Sequence, residues 1–259
     1  MTGSSSEQTS ASTGFFRPFW SRRGCPPWMV ALLAMLILGV LRAYAMLGPP
    51  AAQPLYLFYC VATCALPFLL LTAAGQREIG LVLKETSKVS MAWCALAGAG
   101  YAVLLFCAGQ FLFGNSPENW DLSVRGYLRI EDLRGLMPPA AIVAIYVIPA
   151  ITLTPLGEEM LFRGLVQQAF ARRWNVLTGV LVNSFGYGLA YSYVHAIWRN
   201  SEGLHLRLLS GCIAALLMAG AGVVFTVCRL RTGRMAAAMV AHAAFNVAMV
   251  AMVVYFSTR

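Results

Sequence analysis

Six polar side chains that could assemble one hydrolytic site lie in the apolar second half of this chain: Glu158, Glu159, Arg163, His195, His242 and Asn246. Ionisable groups at bilayer depth are expensive, about 2.5–3.5 kcal/mol each at a helix centre on insertion scales. A chain that keeps two adjacent carboxylates beside a membrane segment, with two histidines in later apolar runs, is expected to use them. Glu158-Glu159-Met160-Leu161-Phe162-Arg163 reads E-E-x-x-x-R. On a helix, Glu159 and Arg163 are one turn apart and can pair. Glu158 points about 100° away and is expected to stay free to face a cavity. One carboxylate is then neutralised and structural, while the other is available as a general base. The plainer alternative is a carboxylate pair that caps a helix at the membrane interface.

The second element is Tyr191-Ser192-Tyr193-Val194-His195, and the third is His242-Ala243-Ala244-Phe245-Asn246. His242 and Asn246 share a helix face at i and i+4. An imidazole N–H and a carboxamide NH₂ converging on one point are suitable donors for a developing oxyanion. Glu158, His195 and His242 could instead supply three zinc ligands with an open position. No H-E-x-x-H is present, and Asn246 would be idle in such a site. The expectation is therefore no cofactor, with zinc as the alternative.

In this order the three elements resemble the CPBP family of intramembrane proteases. That family includes the CAAX prenyl endopeptidases and bacterial proteins linked to bacteriocin processing and self-immunity. The resemblance covers about residues 138 to 256, and the chain departs from it at Tyr191, where the family usually has phenylalanine. It implies a glutamate-dependent protease without a metal. Glu158, assisted by His195, would activate water; His242 and Asn246 would hold the oxyanion; Glu159 and Arg163 would position these groups.

The elements that must carry these residues are membrane helices. The chain is 59% hydrophobic and 11% charged, with mean hydropathy +0.69, against roughly 25% charged for a soluble domain. Apolar runs at 28–41, 55–74, 90–113, 138–157, 175–197, 207–228 and 235–256 approach or reach the ~20 residues that cross a bilayer. The fold class expected is an all-α polytopic bundle of about seven spans. A polar, low-complexity start with three arginines (1–27) precedes three helices (28–113), an extramembrane loop (114–137) and the catalytic core (138–256). The loop has room for a short interfacial helix. Ala43-Tyr44-Ala45 resembles a signal-peptidase site, but every later segment is also apolar, so a retained first helix is expected. Pro149 and Pro155 should break the fourth span near Pro155, leaving a second helical piece from about Leu156 to Arg172. The glutamates would then lie in its first turn, where the helix dipole favours negative charge. No strand pattern is evident.

Twelve basic residues fall in the segments that are inside if the N-terminus is inside, against seven outside, Arg42 among them. That bias predicts N-in and C-out. The net charge of +9 is scattered between apolar runs, a loop pattern and not a nucleic-acid face. The seven cysteines lack zinc-type spacing and read as small buried hydrophobes. Gly186, Gly188, Gly220 and Gly222 read as helix-packing positions. The function expected is an intramembrane endopeptidase acting near the membrane-proximal C-terminal end of a membrane-associated protein or peptide. The setting expected is a bacterial cytoplasmic membrane. The alternatives are a non-catalytic immunity or scaffold protein of the same fold, or a transporter using the carboxylates as a proton relay.

Overall fold

The computed structural model describes residues 14–48, 52, 54–81, 87–120, 138, 148–200 and 203–257. Its long elements are α1 (Pro27–Leu47), α2 (Pro54–Leu70), the short α3 (Ala73–Glu78), α4 (Lys88–Phe113), α5 (Leu153–Glu159), a π-helical segment (Met160–Val166), α6 (Gln167–Arg173), α7 (Val176–Ala196), α8 (Leu208–Thr232) and α9 (Met235–Ser257). This is a helical membrane bundle. Among the described residues, four helices, α1, α4, α8 and α9, are long and apolar enough to cross a bilayer. Of the other expected spans, α2 has 17 residues, α7 has 21 but carries Asn183, Ser184 and several glycines, and the fourth has 139–147 outside the described residues. Residues 121–137, most of the loop with room for an interfacial helix, also lie outside the described residues.

Because these helices are apolar nearly all round, periodicity alone does not say which face turns inward. In α1 the buried stripe is Ala31, Leu38, Arg42 and Ala45, spaced by near-whole turns. Leu33, Leu36, Ile37 and Val40 are exposed, as lipid-facing side chains would be. Close packing elsewhere relies on small residues. Gly188 abuts Ala215 and Ala219 of α8, Gly222 abuts Ser184 of α7, Gly186 meets Met35, and Gly220 meets Tyr101, all too near to admit a Cβ without movement. The helix-packing reading of these glycines agrees with that geometry.

Two local expectations are corrected. The fourth helix breaks at Thr152 (φ −121°, ψ −73°), where Ile148–Ile151 ends, and not near Pro155. Pro155 is the third residue of α5, where a backbone N–H needs no helical partner, so the proline starts the helix instead of stopping it. Glu158 and Glu159 consequently close α5 in its second turn, and the dipole argument for them does not apply. The second correction is a two-stranded antiparallel hairpin, β1 (Ile197–Asn200) with β2 (Gly203–Leu206), registered Ile197 to Leu206. Strands of four residues are too short for alternation to be read from sequence.

At the bundle end opposite this hairpin, α3, α6 and α8 are tied by charge. Arg172 donates twice to the Glu78 carboxylate, from Nε to Oε1 (2.7 Å) and from Nη2 to Oε2 (2.6 Å), and Gln168 donates to Oε1 at 2.6 Å. Arg229 binds the Glu78 and Ile79 carbonyls. Partial burial alone would raise the Glu78 pKa, but the bonds from Arg172 and Gln168, with the charges of Arg172 and Arg229, outweigh it and bring it below the usual carboxylate value. A lowered folded-state pKa contributes stability that is fully present above the unfolded value, about 4.3 for Glu, and is lost as pH falls through the folded value. Glu78→Gln should therefore flatten the decline in thermal midpoint of the purified protein below about pH 4.5. An unchanged acid profile would show that the cluster contributes nothing.

Candidate active site

The site is built from two adjacent carboxylates, each fully buried and each with its own cation. Glu159 accepts from Arg163 Nη1 at 2.9 Å, one turn along within the π-helical segment. The same oxygen lies 2.8 Å from His242 Nδ1. Arg163 is enclosed by aromatic rings, with its guanidinium carbon 4.3 Å from the Tyr187 centroid and 5.2 Å from that of Phe225. These faces attract the cation where Nε and Nη2 have no hydrogen-bond partner among the described residues. His242 stacks on Phe225 and meets the Tyr187 hydroxyl at 3.1 Å through Nε2. In the neutral tautomer that satisfies both contacts, Nδ1–H donates to Glu159 and Nε2 accepts from Tyr187.

Glu158 is held differently from expectation. Its Oε1 accepts from the Tyr59 hydroxyl at 3.1 Å and lies 3.3 Å from Arg42 Nε; its Oε2 accepts from the Tyr191 hydroxyl at 2.7 Å. It is engaged by α1, α2 and α7, and not free as the helix geometry alone predicted. A glycine makes this possible. A Cβ on Gly157 would collide with Thr63 and crowd the Cys60 carbonyl, so only glycine lets α5 approach α2 closely enough for Tyr59 to reach Glu158.

Arg42 and Tyr191 separate Glu158 from a cavity of about 110 Å³ that they line together with Trp120, His195 and Asn246, among apolar walls such as Leu105 and Met218. His195 is buried, and its Nδ1 has no hydrogen-bond partner among the described residues. Asn246 Nδ2 donates to the Ala150 carbonyl at 2.7 Å, leaving its second amide hydrogen for the cavity. His242 is fully buried and is not among the cavity-lining residues. The expected convergence of His242 and Asn246 on one point is therefore absent from this arrangement, because His242 is held back by Glu159 and Tyr187. Nor do Glu158, His195 and His242 form a zinc set: among the described residues no three His, Cys, Asp or Glu side chains are grouped to hold a metal.

Arg42, Tyr59 and Tyr187 were not read from sequence as site residues. Arg42 falls with the outer loops by hydropathy because the first apolar run stops at Leu41, one residue before the charge. The helix in fact continues to Leu47 and turns Arg42 inward, leaving one fewer basic residue in the outer loops. Its position as a lone cation after a long apolar run was the available signal.

A helical membrane bundle with a buried, ion-paired carboxylate site beside a small cavity is the class that fold and geometry define. Residues 139–248 match a family model described as "Type II CAAX prenyl endopeptidase Rce1-like". This match supports the CPBP resemblance, and it spans α5 to most of α9 while excluding α1 and α2. No curated protein and no solved structure matches the chain.

Breaking a buried ion pair from one side leaves a charge uncompensated and costs about 3–5 kcal/mol. Arg163→Met and Glu159→Gln should each lower the thermal midpoint markedly, and the double variant should recover much of the loss. Single variants as stable as the wild type would contradict the structural role of this pair.

Proposed function

We propose that this protein is an intramembrane endopeptidase of the CAAX-protease type, using Glu158 as general base and no metal. The observation that carries this reading is the burial of Glu158, held by Arg42 and Tyr191, which themselves line the cavity with His195 and Asn246. Glu158, with His195 orienting the water, takes one proton as the hydroxide oxygen bonds to the scissile carbonyl carbon. The carbonyl electron pair moves to oxygen, where Asn246 stabilises it by hydrogen bonding. Collapse of the tetrahedral species breaks the C–N bond, and Glu158 returns the proton to the leaving amine. His242, whose two ring nitrogens contact Glu159 and Tyr187 away from the cavity, acts by fixing Glu159 and Arg163.

The substrate is a membrane-associated protein or peptide cut in an extended segment near its membrane-proximal C-terminal end, since an intact helix keeps its carbonyls engaged and hides the bond. Quenched peptides carrying a farnesylated CAAX end or an apolar C-terminal anchor provide the assay, with cleavage sites mapped by mass spectrometry. Glu158→Gln should lose activity while remaining folded, and wild-type turnover should survive exhaustive chelation. No hydrolysis of either peptide by the wild type, or equal hydrolysis by Glu158→Gln, would sink the proposal. Activity lost on chelation and restored by zinc would replace it with the metal reading.

The orientation proposed is N-in and C-out in a bacterial cytoplasmic membrane. In a background without native cysteines, Ser4→Cys and Ser257→Cys should label from opposite sides. Labelling of both from one side would refute this topology.

A further inference from the structure

Arg42 joins the two halves of the site. Its Nε faces Glu158 Oε1 at 3.3 Å, while its Nη1 donates to the Ala190 carbonyl and to the Tyr193 hydroxyl, each at 2.7 Å. The guanidinium carbon also sits 4.0 Å over the Tyr191 ring, whose hydroxyl donates to Glu158 Oε2. Ala190, Tyr191 and Tyr193 lie on the last turns of α7, the helix that ends beside His195. One side chain of α1 thus sets the carboxylate of α5 against the helix that carries the histidine.

We propose that Arg42 is a positioning residue for Glu158, with Tyr191 as the support they share, so that α1 is part of the catalytic apparatus. The proposal rests on Glu158 being the general base. A carboxylate offers about four lone-pair directions. Tyr59 and Arg42 occupy the Oε1 side, and Tyr191 takes one direction on Oε2. The remaining Oε2 lone pair is the direction left for a water proton, and the two tyrosine hydrogen bonds with the Arg42 ion pair hold it steady. Phenylalanine at 191 would keep the ring beneath Arg42 and lose the hydroxyl bond, so this arrangement depends on the tyrosine that departs from the family pattern. Arg42 and Tyr59 both lie outside the matched segment 139–248.

The test compares Arg42→Met, Arg42→Lys and Tyr191→Phe as full chains in nanodiscs, using the quenched farnesylated peptide and, in parallel, the apolar-anchored one. Misplacing a catalytic group by about 1 Å costs on the order of 100-fold, so Arg42→Met should lower kcat by about that factor. KM should stay within about threefold, because an interaction that orients the base acts on the chemical step. Arg42→Lys keeps the charge but not the fork, and should recover part of the loss. Tyr191→Phe should lower kcat about tenfold, and adding it to Arg42→Met should cost much less than that again, since both act through one carboxylate.

Should Arg42→Met fail to fold, Arg42→Lys and Tyr191→Phe carry the same reading by their kcat and KM. A role confined to stability would lower the thermal midpoint while kcat per folded molecule stayed at the wild-type value. That result, a loss expressed in KM, or full additivity of the double variant overturns the proposal. If wild type and Glu158→Gln hydrolyse the peptides alike, or the wild type hydrolyses neither, the proposed function fails and this inference fails with it. An inactive Glu158→Gln beside fully active Arg42 and Tyr191 variants defeats this inference alone.

Discussion

Two neighbouring carboxylates buried in an apolar interior repel each other and each lose their water, and the architecture around residues 158 and 159 follows from that constraint. A buried charge survives only if it is paired and hydrogen-bonded. Successive residues on a helix point in different directions, so one cation cannot serve both. Glu159 finds its partner within its own helix, in Arg163. Glu158 points elsewhere and takes Arg42 from a helix far back in the chain. The bundle must therefore close with α1 against α5 and α7, or leave a carboxylate bare.

That demand reaches the packing. Gly157, immediately before the two glutamates, removes the side chain that would hold α5 away from α2, and Tyr59 then reaches Glu158. Gly222 gives Arg163 and Ser184 room against α8. Apolar side chains supply most of the contact area of the core, but they are interchangeable in chemistry and leave the facing of each helix open. The ion pairs and the glycines are the positions where only one arrangement satisfies the charges and the space.

The two networks also divide the labour. Glu159, Arg163, His242 and Tyr187 form a closed, water-excluded set in which Glu159 Oε1 serves both Arg163 and His242. Glu158, Arg42 and Tyr191 form a second set, one layer nearer the cavity, where His195 and Asn246 retain uncommitted polar groups. A rigid inner set supports an outer set with capacity left to bind. Pre-organised polar groups of this kind cost little reorganisation at the moment of reaction.

The class of molecule, most of the helices and the pairing of Glu159 with Arg163 were determined by the sequence itself, because hydropathy and i,i+4 spacing are local properties. The same locality explains the errors. A hydropathy run ends at a charge, so hydropathy alone stops the first helix at Leu41 and puts Arg42 in a loop. Proline reads as a breaker, although Pro155 sits where a helix tolerates it. Four-residue strands leave no periodic trace. Only the tertiary structure decided that Glu158 is clamped and not free, that His242 faces Glu159 while Asn246 faces the cavity, and that the first two helices enter the site. Those outcomes depend on which faces of nearly uniform apolar helices meet, and that choice is made by complementary shape and charge between segments a hundred residues apart, to which no local spacing refers.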